Sequence, residues 1–146
     1  MPRSEPRSIE IRKLGVKTRV EQVGMTRDRS IGMPGNAGHA GWYTGSPTPG
    51  ENGNTIIVGH LDSATGPAAF YGLGALRNGD PISIKRRDQT TATFTVTSIS
   101  VWPKNNFPSE RVYAATTKPQ LTLITCADWD NTTNNYRSNL VITAHR

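Results

Sequence analysis

Apolar residues along this chain come in short runs, separated by stretches rich in Gly, Pro and Asn. Ile9 and Ile11 stand two apart in "IEIRKLGVKTRVEQVG", a period that predicts one or two short strands. Residues 55–60, "TIIVGH", are continuously apolar up to Gly59-His60 and predict a strand buried on both faces. In "GPAAFYGLGALRNGD", Phe70, Leu73 and Leu76 are spaced by three. That spacing predicts a short amphipathic helix or two turns, closed at Asn78-Gly79. "PISIKRR" opens a strand with Pro81 at its first position, where a missing N–H is tolerated. In "TATFTVTSISVW", Phe94 and Val96 share one parity and Ile99 and Val101 the other, so a bulge or bend is expected near Ser98. "RVYAAT" predicts a turn of helix or a short strand. "QLTLITC" and "NLVITAHR" predict strands joined by a polar loop, "ADWDNTTNNYRS". Residues 24–53 show little periodicity, and irregular chain of that length often carries function. Residues 1–8 are rich in Pro, Ser and Arg and are expected to be a flexible linker. Seven or eight short strands with at most one or two short helices predict a mostly-β barrel or sandwich. With no internal repeat, residues 9–146 form one domain.

Composition narrows this picture. At 146 residues the chain can bury a real core without staples. Fourteen glycines and ten prolines fall mostly between the apolar runs, which supports the mostly-β reading. Cys126 is the sole cysteine, so no internal disulfide forms. His39, His60 and His145 lie far apart, with no zinc-type spacing, and no metal or other cofactor is expected. The net charge of +6 is carried by basic residues spread along the sequence, without an RNA-binding aromatic signature or a finger motif. A basic, soluble surface is expected rather than nucleic-acid binding. No run reaches the ~20 apolar residues that span a bilayer.

The candidate chemistry centres on Cys126, where a strand-like run meets a polar loop. A lone cysteine is commonly a small buried hydrophobe; as a thiolate it is a nucleophile. His60 ends another buried strand, and a histidine near a thiol can take its proton or stabilise the thiolate. Taken alone, a strand-terminal histidine is more commonly hydrogen-bonded to a loop. His39, in a glycine-rich loop, is a weaker rival, and His145 is expected at the surface. Arg137 follows Cys126 by 11 residues across the loop. Its guanidinium could hold a substrate carbonyl or a developing oxyanion, or simply pair with Asp128 or Asp130.

Four segments taken in order resemble the sortase family. "TLITC" is similar to the Thr-Leu-x-Thr-Cys signature, and "NTIIVGH" resembles the histidine strand. "FYGLGALRNGDPISI" resembles the Phe-x-x-Leu-x-x-Leu-x-x-Gly-Asp-x-Ile segment, and "YRSNLVITAHR" the arginine strand. "IEIRKLGV" resembles the opening strand, with Arg12 where proline is usual. The resemblance covers roughly residues 9–146 and leans toward the actinobacterial E or F classes.

The resemblance implies an eight-stranded sortase-type β-barrel with a few short helices. It implies a cysteine transpeptidase that cleaves a Thr–Gly bond in an LPxTG-like sorting signal of secreted surface proteins. The acyl group would pass to an amine of peptidoglycan or pilin. Cys126 would be the nucleophile, His60 the acid/base partner and Arg137 the carbonyl or oxyanion stabiliser. Thr125 would help through its backbone or hydroxyl, and loop 103–120 would shape the substrate groove. Asp62 and Glu110 lie where some relatives bind calcium, but no acidic cluster accompanies them, and no calcium is expected. The resemblance also implies a Gram-positive cell-wall enzyme at the extracellular face of the membrane, anchored by an N-terminal segment outside these 146 residues. Two alternatives remain: a cysteine hydrolase with the same site, in which water replaces the amine, and a non-catalytic β-barrel module that binds an anionic polymer with a structural Cys126.

Overall fold

The computed structural model describes the backbone of all 146 residues and the side chains of all but residues 126–130. Eight strands close into a barrel. They are β1 (Pro6–Ile11), β2 (Val16–Val23), β3 (Ala40–Tyr43), β4 (Gly53–Gly59), β7 (Pro81–Arg86), β8 (Thr91–Pro103), β9 (Pro119–Asp130) and β10 (Asn135–His145). Around the barrel the order is β1-β2-β3-β4-β9-β10-β8-β7. Between β4 and β7, the two-residue strands β5 (Asp62–Ser63) and β6 (Gly66–Pro67) form a separate small ribbon. The ladders β2–β3 and β4–β9 are parallel and the other barrel ladders antiparallel. Among the described residues no helix is long and apolar enough to cross a membrane.

Alternation along each strand fills the barrel. Ile9 and Ile11 on β1, Ile82 and Ile84 on β7, and Phe94 on β8 all point inward and are fully buried. Phe70, Leu73 and Leu76 join them from the β6–β7 connection. Their spacing of three predicted a short helix or two turns; turns form, ending in one 3₁₀ turn at Leu73–Ala75. Gly72 and Gly74 weaken a continuous helix there. The three apolar side chains are buried all the same, because the packing needs their spacing and not a regular helix.

A second apolar layer lies outside the barrel. Ile56 and Val58 on β4, Ile124 on β9 and Val141 on β10 form it with Val23. Ile31 and Tyr43 pack onto it from one side, and Trp102, Phe107 and Val112 from the other. This explains the unbroken apolar run in β4, which is buried along its whole length. One parity faces the barrel and the other faces this outer layer.

Several local expectations change. β1 begins at Pro6, so the tail expected as a linker over 1–8 is partly strand. The Arg87 amide donates to the Glu5 carbonyl (2.9 Å), and the Ser4 amide donates to Thr48 Oγ1 (3.0 Å). Residues 24–53 are not irregular throughout: β3 lies within them, with Trp42 turned into the core and its Nε1 donating to the Pro47 carbonyl (3.1 Å). The bulge expected near Ser98 falls at Thr97, since Thr143 pairs with Ser98 while Ala144 pairs with Val96. "RVYAAT" follows one short helix, α1 (Ser109–Val112), which reaches into its first two residues. The polar segment after Cys126 is a hairpin rather than a long loop: β9 runs on to Asp130 and β10 starts at Asn135.

Candidate active site

The strand register determines what meets at the barrel wall. In the parallel ladder β4–β9, Val58 is level with Ile124. Two residues further on lie His60, just past the end of β4, and Cys126. In the antiparallel ladder β9–β10, Cys126 is opposite Asn139. Arg137, two residues from Asn139, is on the same face of β10 as Asn139. The three positions singled out from the sequence therefore fall on adjacent strands. Arg137 is exposed. The side chain of Cys126 lies outside the described residues.

Thr125 is level with Leu140 and turned toward the barrel core, 2% exposed. Its hydroxyl has no hydrogen-bond partner among the described residues. What Thr125 can present toward its neighbours on the outer face is backbone.

Beside these positions lies a cleft of about 450 Å³. Its floor includes Val58, Ile124 and Asn139, from the outer face of β4, β9 and β10. Arg29, Ile31 and Met33 form one wall, and Lys104, Phe107 and Tyr113 the other. Burial pushes the Tyr113 hydroxyl above its usual pKa, so it stays a neutral hydrogen-bonding group. The second wall is fixed by Asn54. Its Nδ2 donates to the carbonyls of Val112 (2.9 Å) and Ala114 (3.1 Å), while its Oδ1 accepts from Thr122 Oγ1 (2.7 Å). Arg111 stacks over the Trp102 ring at 5.7 Å, and Phe107 meets Tyr113 with ring centroids 5.9 Å apart. Loop 103–120 thus borders the cleft as a tethered wall.

The first wall is organised by Glu21. Its carboxylate accepts from the amides of Gly35 (3.1 Å) and Asn36 (3.2 Å) and meets His39 Nδ1 at 2.9 Å. Partial burial pushes the Glu21 carboxyl up. The hydrogen bonds from His39 and the two amides together outweigh that effect and hold it below its ordinary value. The loop so clamped carries Pro34, whose carbonyl lies 3.1 Å from His60 Nε2. A carbonyl only accepts, so Nε2 carries the hydrogen and Nδ1 is the nitrogen left to exchange a proton. Here the two histidines differ: His39 is bound to a carboxylate, whereas His60 hangs from a neutral carbonyl beside the position of Cys126. His145 sits at the far end of β9, between Thr97 (2.8 Å) and Gln120 (3.2 Å).

The sequence did not point to Glu21, Pro34, Asn54 or Asn139. Only Asn54 carried a local signal, as a polar residue at the head of an otherwise apolar run. Among the described residues no three His, Asp or Glu side chains gather as a metal site.

A family model for the sortase domain matches residues 9–146. Sortase A from Corynebacterium diphtheriae, as a lid mutant, superposes with a TM-score of 0.76 at 25% identity, over 100% of this chain and 72% of that one. A second sortase A structure from that organism gives a TM-score of 0.73 at 26% identity, over 99% of this chain and 61% of the other. Sortase C1 from Streptococcus agalactiae, at 20% identity and a TM-score of 0.71, shares the fold over 96% of this chain and 66% of its own. No curated protein matches the sequence. The closed eight-stranded barrel matches the sortase fold, and sortases are cysteine transpeptidases. The chain belongs to the sortase family.

Proposed function

We propose that this chain cleaves the Thr–Gly bond of an LPxTG-like sorting signal and transfers the acyl group to an amine of the cell wall or of a pilin subunit. Sortases are cell-surface enzymes of Gram-positive bacteria, and the proposal puts this chain at the outer face of the membrane. The observation that carries it is the register. Val58 is level with Ile124, which leaves His60 and Cys126 at one height, and Asn139 is opposite Cys126 with Arg137 two residues away.

In the proposed reaction the Cys126 thiolate attacks the threonine carbonyl. Arg137 and backbone N–H groups, that of Thr125 among the candidates, hold the oxyanion, each donor contributing roughly 3 kcal/mol. His60 gives its proton to the leaving amine, and a thioester remains on Cys126. An incoming amine loses a proton to His60 and attacks the thioester, which returns the thiolate. The cleft provides apolar contact for the peptide through Ile31, Val58 and Phe107.

Incubation with LPxTG-like peptides and an amine, read by mass, tests this. A peptide–amine product is expected. Only hydrolysed peptide would favour a hydrolase; no product from folded protein would count against the assignment.

A further inference from the structure

We propose that the outer face of β2, β1 and β7 binds the phosphate headgroups of an anionic lipid surface, with a hollow between Arg7, Arg19 and Arg87 that receives one phosphate. The basic residues are scattered in sequence, but the fold collects several of them here. Ser8 on β1 pairs with Arg19 on one side and Lys85 on the other, so these two cations flank it across adjacent strands. Lys17 continues the row on β2 opposite Glu10.

The hollow has a volume of about 450 Å³ and is lined by Pro6, Arg7, Arg19, Val20 and Arg87. Arg7, Lys17, Arg19 and Lys85 make no ion pair or side-chain hydrogen bond among the described residues. Two carboxylates lie nearby. Glu5 sits 3.7 Å from Arg87 and accepts from Gln22, and Glu10 sits 3.5 Å from Arg12. That leaves Arg7 and Arg19 uncompensated at the hollow, with Lys17 and Lys85 on the same face beyond its lining. Guanidinium groups match phosphate oxygens with paired N–H donors.

Two features favour a lipid surface over a soluble polyanion. The cations project from three neighbouring strands about 5 Å apart, a broad array that a plane of headgroups can meet at once. And β1 is four places from β9 in the eight-strand ring, so this face is opposite the cleft. Docked on a membrane this way, the protein holds its cleft open to peptides approaching from the other side. The inference uses no catalytic residue and stands apart from the proposed reaction.

The test is co-sedimentation of the full chain with vesicles of phosphatidylglycerol and phosphatidylcholine, against phosphatidylcholine alone. Binding is expected only with the anionic lipid, and weaker as salt screens it. At about a fivefold loss per cation, R7E/R19E should bind about 25-fold more weakly or worse. The charge-matched control R27E/K118E, at exposed positions elsewhere, should change far less. Peptide cleavage in solution should be equal in wild type and R7E/R19E. If R7E/R19E fails to melt cooperatively, R7Q/R19Q replaces it, with a loss of about 25-fold expected. Three results would overturn the proposal: no anionic vesicle binding by folded protein, equal losses in the two charge-matched variants, or binding of soluble polyphosphate without vesicle binding.

Discussion

His60 Nε2 donates to the carbonyl of Pro34 at 3.1 Å, across 26 residues of sequence. That bond fixes which ring nitrogen is free, and it ties the proposed acid/base group to a loop rather than to a neighbouring carboxylate. His60→Ala removes the proton carrier. Peptide cleavage should fall by about 10²- to 10⁴-fold. Because the ring is only half-buried, the melting temperature should move little. Cleavage assays paired with thermal melts check both halves.

Glu21 holds the same loop one step back. Glu21→Gln keeps the shape but loses the charge that draws the His39 ring and the two amides. Looser placement of Pro34 should lower kcat by between about tenfold and a hundredfold, with KM less affected. Steady-state kinetics across a peptide series measure that split.

The acid limb of stability follows from the same carboxylate and its counterparts. Glu21 sits below its ordinary 4.5, for the reasons given above. Asp80 is lowered by Lys13 and the Arg77 amide, and Asp88 by the hydroxyl and amide of Thr90, both from 3.8. Groups with lowered values bind fewer protons folded than unfolded. Their stabilisation is therefore fully present above 4.5 and is lost as pH falls through the folded values. Thermal melts should be level near neutrality and decline below about pH 4.5. Glu21→Gln should show a shallower decline.

Gly59 directly precedes His60 and lies under the Phe70 ring. A Cβ there would come within 2.6 Å of that ring, which is fully buried. Gly59→Ala should destabilise the fold by about 1–3 kcal/mol. It should also reduce cleavage by displacing His60. Denaturant unfolding and the peptide assay report the two effects, and an unchanged midpoint would contradict this packing.

Residues whose surroundings are local were legible in the sequence. "TIIVG" declared a strand covered on both faces, and the structure supplies both covers, the barrel core and the Ile56–Val58–Ile124 layer. The end of the "TIIVG" run placed His60 where the β4–β9 ladder stops, whereas β9 continues past Cys126 to Asp130 in a hairpin that the polar sequence concealed. β3 was not legible, since four residues between glycine-rich stretches carry too short a period. Phe70, Leu73 and Leu76 gave their burial and left a helix or turns open; the turns form. Glu21, Pro34 and the Arg7–Arg19–Arg87 hollow depend on strands that meet only in the closed barrel, and no spacing along the chain encodes them.

The central claim is that the Cys126 thiolate carries the acyl group. Intact-protein mass spectrometry after incubation with a sorting peptide, in the absence of an amine, tests it most directly. Wild type should gain the mass of the acyl fragment, release it on addition of an amine, and gain nothing as Cys126→Ala. An adduct of equal size on folded Cys126→Ala, or none on wild type while the peptide is cleaved, would contradict the account.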